Sequence, residues 1–324
     1  MYYYRVLSNE FAGLLEKGRE LRWLFDFVVK HEELDIRIGK SKTKQWISVY
    51  YGLTRLFSIR RFKDSVIFID ASNAYKELPV TFYGRKSITD NFQEEIESLL
   101  VQLESKSKID GYYENGKEGY HQNIFSRRYG ICGNPDDEFV IIDKEAVIGY
   151  DNQAEKDAVF AIIQEVYKNL RSEIYKQDQQ RYGKDPDKKP HGNEPDFLAL
   201  DKEGNILLIE FKNGADTSGI YLSPLQLSLY FEIFSALPKK QLESGVLQML
   251  VQKQKIGLIN PGWHNPESIK DIIPVLIISD YDDKSIAKAK FHEVLEMIRK
   301  KYDDSFLNTL QVFTFSLENG LTKW

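Results

Sequence analysis

The chain holds a single cysteine, Cys132, in 324 residues. That excludes internal disulfides and any cysteine-rich zinc site. The five histidines, His31, His121, His191, His264 and His292, are scattered, and no two have metal-ligand spacing. No glycine-rich loop of the phosphate-cradling kind occurs, so no nucleotide cofactor is implied. No apolar run approaches the roughly 20 residues that cross a membrane. The opening MYYYRVLSNEFAG lacks a signal-peptide pattern. A cytoplasmic protein with no membrane partner is therefore expected. There is no internal repeat and no long disordered tract. Positive charge is also scarce: 44 Lys and Arg against 49 Asp and Glu give a net charge of −5. A polyanion-binding chain of this composition must concentrate its cations locally. The local groups are Lys40, Lys42 and Lys44; Arg55, Arg60, Arg61 and Lys63, interleaved with Phe57 and Phe62; Arg127 and Arg128; and Lys184, Lys188 and Lys189. Each group is more often a solvated face than a groove reader.

Hydrophobic residues make up 42% of the chain and aromatic residues 13%, enough for real cores in two domains. Residues 1–145 read as an α+β domain whose role no motif discloses, with substrate or partner recognition in view. A helix is expected over 10–29, β-rich sequence over 46–62, a strand over 65–69 and a helix over 88–104. Residues 105–137 read as loop, and 139–142 with 146–150 as a hairpin. Residues 146–324 follow as helix, hairpin, helix, strand, helix, strand, an α/β arrangement with a mixed central sheet flanked by helices. In that half a long helix is expected over 155–174, an apolar segment over 245–259, a buried strand over 273–279 suited to be the last of the core, a helix over 285–301 and a closing strand over 310–315.

The chemistry concentrates in EPDFLALDKEGNILLIEFK. Two short apolar runs flank Asp201-Lys202-Glu203-Gly204-Asn205, and a three-residue turn with glycine in the left-handed position is a common hairpin connection. Centring the turn on Glu203 sets Leu200 opposite Ile206, Leu198 opposite Leu208 and Asp196 opposite Glu210. Opposed Cβ atoms lie about 4.5–5.5 Å apart, so the two carboxylates repel unless a cation sits between them. Hard oxygen ligands at that spacing suit Mg²⁺. Lys212 shares a strand face with Glu210, while Phe211 points the other way. A lysine there can orient or activate a water, or offset charge building on a phosphorane. The competing reading is an ordinary surface hairpin with a Glu–Lys pair.

Downstream, Ser223-Pro224 reads as the N-cap and first position of a helix reaching Leu237. Gln226 and Tyr230 fall on its inward stripe, where polar groups need partners. Upstream, Glu155 begins the long helix, on the same stripe as Val159. An acidic residue in a first turn is ordinary compensation of the helix dipole, and a third carboxylate for a metal is the functional alternative.

This order of pieces resembles the PD-(D/E)XK nuclease superfamily, which has the restriction-endonuclease-like fold. The pieces are a helix with Glu155, a strand with Pro195-Asp196, a strand with Glu210-Phe211-Lys212, and a helix with Gln226 and Tyr230 in a Gln-x-x-x-Tyr pattern like that of RecB-type members. The resemblance spans residues 150–280. It implies a metal-dependent phosphodiesterase using Mg²⁺, with Mn²⁺ able to substitute. Asp196 and Glu210, the Phe211 backbone carbonyl and Glu155 would serve the metal, Lys212 would be the catalytic lysine, and Gln226 and Tyr230 would support the site or position phosphate. Its substrate is nucleic acid, DNA favoured over RNA, in restriction, phage defence or repair. Cutting both strands of a duplex often takes two sites, so a homodimer is compatible with it. One departure is that residues 176–194 show no strand where such folds usually carry one. The alternatives are a nucleic-acid-binding protein of the same fold that does not cut, and a scaffold in which the hairpin charges are incidental.

Overall fold

A computed structural model describes residues 1–61, 67–71, 85–86, 92–105, 117–177, 194–300 and 308–324. The chain divides into two units, one of Met1–Tyr3, Asp143–Ser244 and Pro266–Trp324, the other of Tyr4–Ile142 and Gly245–Asn265. One change of unit falls between Ile142 and Asp143. The return of Gly245–Asn265 to the amino-terminal unit was not expected.

The amino-terminal unit contains α1 (Asn9–Gly13), α2 (Arg22–Lys30), β1 (Leu34–Lys40), β2 (Gln45–Tyr51), β3 (Thr54–Arg61), β4 (Ile67–Ala71), β5 (Arg85–Lys86), α3 (Phe92–Ser105) and α4 (Glu118–Arg128). The strands form one antiparallel sheet in the order β1-β2-β3-β4-β5. Alternation gives the sheet one apolar face. Ile36, Ile38, Ile47, Val49, Phe57 and Ile59 pack from it into a core with Phe11, Leu24 and Val28 of the first two helices. The helix expected over 10–29 is broken between α1 and α2, where Gly18 takes φ +78°.

Within the stretch expected to be loop, residues 118–128 instead carry α4. Its apolar signal is weak because its buried residues are mostly polar: His121, Gln122, Asn123, Ser126 and Arg127. The Arg127 guanidinium donates to the carbonyls of Val28 (2.8 Å), Val29 (2.9 Å) and Leu34 (2.6 Å), capping the end of α2 and the start of β1. Ser126 donates to Asp35 at 2.6 Å and Asn123 to the Glu32 carbonyl at 2.8 Å. Arg127 is thus a structural cation rather than a contact for nucleic acid.

The other unit contains α5 (Gln153–Gln177), β7 (Phe197–Asp201), β8 (Ile206–Asn213), α6 (Thr217–Ser235), β9 (Ile272–Ser279), α8 (Ala287–Arg299), β10 (Gln311–Ser316) and β11 (Gly320–Lys323). The chain passes between units within β6 (Phe139–Lys144) and α7 (Lys239–Ile256). The sheet is mixed and six-stranded, in the order β11-β10-β9-β8-β7-β6. β9 runs parallel to β8 and β10, and the β7–β8 and β10–β11 pairs are antiparallel. Residues 273–279 are therefore a strand, as expected, but β10 and β11 lie beyond it. α6 packs on β8 and β9 and against α8, and α5 packs on α6. Residues 146–150 do not return as a hairpin strand. Glu145 takes φ +50°, and Gly149 instead makes an isolated antiparallel bridge with Tyr2. The missing-strand question over 176–194 falls mainly on 178–193, outside the described residues, as do His191, Lys63, Phe62, Lys184, Lys188 and Lys189. Among the described residues no single helix is long and apolar enough to cross a membrane.

Replacing Arg127 with methionine leaves three carbonyls without their donor, and each hydrogen bond to a charged group is worth about 1.5–3 kcal/mol. The expected loss of stability, on the order of 3 kcal/mol after relaxation, would be read from urea unfolding; a change below about 1 kcal/mol would contradict this role.

Candidate active site

The hairpin forms in the expected register. Leu198 pairs with Leu208 and Leu200 with Ile206, which carried one pair further sets Asp196 opposite Glu210. Gly204 takes φ +93° in the turn. The Asp201 carboxylate accepts from the amides of Glu203 (3.0 Å) and Asn205 (2.7 Å), a local alternative to longer-range pairing that short acidic side chains favour. β8 is buried along nearly its whole length, and both hairpin strands lie inside the sheet.

Alternation then sorts three consecutive residues. Phe211 is fully buried, with its ring edge-on to Phe197 (6.4 Å) and Phe315 (6.2 Å). Glu210 and Lys212 project from the opposite face and form an ion pair. β7 begins only at Phe197, so β8 outruns its backbone partner. The Asp196 carboxylate substitutes, its Oδ2 accepting from the Phe211 amide at 2.8 Å. That bond orients the carboxylate beside Glu210. The Asp196 carbonyl accepts from the Glu145 amide at 3.0 Å, which holds the start of the strand from its other side.

Glu210 is 2% exposed. Its Oε1 accepts from Lys212, whereas Oε2 is buried with no hydrogen-bond donor among the described residues. A carboxylate oxygen in that state costs free energy unless something positive reaches it. Tyr230, on α6, comes to the same place. Burial pushes its phenol well above the usual tyrosine pKa, the negative charges of Glu210 and Asp196 and a hydrogen bond with Glu210 push it further, and a hydrogen bond with Gln226 opposes them. Asp196, Glu210, Lys212, Tyr230 and Gln226 therefore form one neighbourhood.

The helix that delivers Tyr230 and Gln226 starts earlier than Ser223-Pro224 suggests. α6 begins at Thr217, with the Asp216 carboxylate capping the Gly219 amide at 2.9 Å. Pro224 lies inside the helix, where it deprives the Ile220 carbonyl of a donor. The Ser223 hydroxyl fills that role at 2.7 Å. Gly219 is needed for close approach: a Cβ there would lie 3.1 Å from Lys212 Cδ and 2.1 Å from Asp216 Oδ2. The lysine stem thus runs against the first turn of α6.

Glu155 has different company. It sits in the first turn of α5, as expected, but its Oε1 pairs with the Met1 amine and its Oε2 accepts from the Asp151 amide at 2.7 Å. Among the described residues no group of three or more acidic, histidine or cysteine side chains is placed to hold a metal ion. Asp196 and Glu210 come together at the hairpin, while Glu155 is engaged by Met1 and Asp151. The sequence reasoning did not foresee Asp216 or Gly219; the Asp-x-x-Gly spacing before an apolar run was the available signal. Comparison of the chain with protein families, curated proteins and solved structures gives no match.

Tyr230 makes the electrostatics measurable. A phenol whose folded pKa is raised contributes stability that is fully present below the unfolded value of about 10 and is lost as pH rises through the folded value. Between about pH 8 and pH 11, wild type should lose more stability than Tyr230→Phe, by on the order of 1 kcal/mol. Urea unfolding at the two pH values checks this, and equal losses would contradict it.

Proposed function

We propose that this chain is a metal-dependent nuclease with a restriction-endonuclease-like core, hydrolysing phosphodiester bonds of nucleic acid, DNA first. The observation that carries the reading is the Asp196–Glu210 pair, with one buried Glu210 oxygen lacking a donor among the described residues and Lys212 on the same strand face. The donor set fits a hard divalent cation, which usually takes one or two carboxylates together with waters and substrate phosphate. Asp196 and Glu210 would hold Mg²⁺ or Mn²⁺, with the Phe211 carbonyl as a further oxygen. The ion would supply Lewis-acid polarisation of the phosphoryl oxygen and a water acidic enough to ionise near neutral pH.

The chain's own groups account for the remainder. Lys212 carries its ammonium beside Glu210. From there it can orient the attacking water and offset negative charge developing on the phosphoryl oxygens. Tyr230, kept protonated by burial and by its acidic neighbours, is a hydrogen-bond donor over the working pH range. Gln226 orients that phenol and, with it, a phosphate oxygen. The Phe211 amide fixes the Asp196 rotamer, so the ligand oxygens are arranged before substrate arrives. A part in restriction, phage defence or repair, and action as a homodimer, belong to the same proposal by resemblance.

Cleavage of plasmid and linear DNA in Mg²⁺ or Mn²⁺ tests it, comparing wild type with Asp196→Ala and Lys212→Ala. Each variant should lose about two orders of magnitude in rate or more while remaining folded. Cutting that persists unchanged in both would remove the assignment. Binding of DNA without cutting by any form would favour the non-cleaving alternative.

A further inference from the structure

The amino-terminal sheet has a second face. Its apolar side is covered by the core around α1 and α2, and alternation sends a different set of residues to the other side. By register this face carries Asp35, Arg37 and Gly39 of β1, Trp46, Ser48 and Tyr50 of β2, and Ser58 and Arg60 of β3. A β-bulge between Val49 and Tyr50 shifts the register so that Arg55 stands opposite Tyr50. Without that irregularity Arg55 would turn with the strand; bulges commonly re-aim a side chain in this way.

This face holds an open pocket of about 280 Å³ lined by Lys44, Trp46, Ser48, Tyr50, Arg55, Ser58 and Arg60. Its floor is the hydroxyl pair of Ser48 and Ser58, both buried and 2.7 Å apart, with Arg55 donating to Ser58 at 3.0 Å. Trp46 lies across Gly39, where a Cβ would stand 2.5 Å from the indole, so only glycine on β1 lets the ring lie down. Guanidinium groups stack on both aromatics, Arg5 at 5.6 Å from the Trp46 ring centre and Arg37 at 4.0 Å from that of Tyr50. The acid at this face whose side chain is described, Asp35, is buried and bonded to Ser126. The register also brings Asp70 of β4 beside Ser58.

We infer that this face binds single-stranded nucleic acid, seating one unstacked nucleotide in the pocket. Charge complementarity points to a polyanion as the occupant: among the described residues the lining has three cations, Lys44, Arg55 and Arg60, and no acid. The two rings among the cations narrow it further. Aromatic and guanidinium planes stack bases, and every base offers a face only when it is not already stacked in a duplex. The serine hydroxyls supply hydrogen bonds that do not depend on sequence. In a chain with net charge −5, a local cluster of this kind is what phosphate binding requires. The inference rests on the nuclease reading only for calling the polyanion nucleic acid, and it deepens that reading by naming an unpaired strand as the substrate form.

The test is fluorescence anisotropy of a labelled thymidine oligonucleotide of about 12 nucleotides, within the range one such site covers, using the full chain with Asp196→Asn in EDTA so that nothing is cut. The Arg55→Ala/Arg60→Ala double variant should bind about tenfold more weakly, and the slope of log affinity against log salt should shrink by about 1.4, near 0.7 for each phosphate no longer neutralised. Trp46→Ala should weaken binding by about tenfold as well. Lys44→Glu changes an exposed side chain that folding does not need, and it should weaken binding in the same direction. Unchanged affinity in the folded double variant and in Lys44→Glu would overturn the inference. So would a parent protein that binds no oligonucleotide, or one that binds the matching duplex as tightly as the single strand. The readout is binding alone, so a failure to cut DNA would remove the nuclease reading and leave this result standing on its own.

Discussion

The pairing of β7 with β8 is the constraint on which the candidate chemistry depends. A slip of one residue would exchange the faces of every side chain. Phe211 would then take the face of Glu210, and Glu210 with Lys212 would enter the apolar layer between Phe197 and Phe315. Several features hold the register. Gly204 takes a backbone conformation that other residues resist, and a Cβ there would lie 2.3 Å from the Ser268 carbonyl. Asp201 ties the turn through its two carboxylate oxygens, one to backbone amides and one to the Asn205 side chain at 2.8 Å. β9 then pairs with β8 along its whole length and fixes it from the far side.

That rigidity lets an unfavourable charge arrangement persist. Two carboxylates face one ammonium, and the more buried carboxylate keeps an oxygen without a donor among the described residues. Buried charge of this kind is tolerated where packing over-determines the geometry and function gains from it. The surroundings are arranged accordingly. Asp196 is held by a backbone amide, the lysine stem is pressed by Gly219, and α6 is capped by Asp216 so that Tyr230 arrives at a set height. The amino-terminal sheet applies the same logic on a larger scale: one face supplies the core, which frees the other to gather arginines, aromatics and serines.

The parts of this arrangement set by short-range rules were legible in the sequence. The hairpin register followed from one glycine and two apolar runs, and the shared face of Glu210 and Lys212 followed from a period of two. The long helix from Gln153 and the strand before Ser279 were legible from apolar pattern alone. Where a residue had two physical uses, the sequence misled. Ser223-Pro224 has the form of a helix start, yet the serine serves to satisfy the carbonyl that the proline leaves without a donor. Glu155 was rightly placed in a first turn, but its partner is the amino terminus, 154 residues away along the chain, which no local pattern announces. α4 escaped notice because Arg127, Asn123 and Ser126 hold it by polar bonds, so the apolar periodicity that reveals helices is weak there. The basic cluster around Arg55 and Arg60 was visible, but its shape depended on a bulge and on Gly39 lying under Trp46.

The central claim is that Asp196 and Glu210 together hold a divalent cation. Crystals grown or soaked with Mn²⁺, with diffraction collected at the manganese absorption edge, test it most directly. The account predicts an anomalous peak within about 2.0–2.3 Å of carboxylate oxygens from both residues, at roughly the distance hard oxygen ligands adopt. A well-ordered hairpin with no peak there at millimolar Mn²⁺, or with the ion bound elsewhere and Lys212 still paired to Glu210, would contradict it.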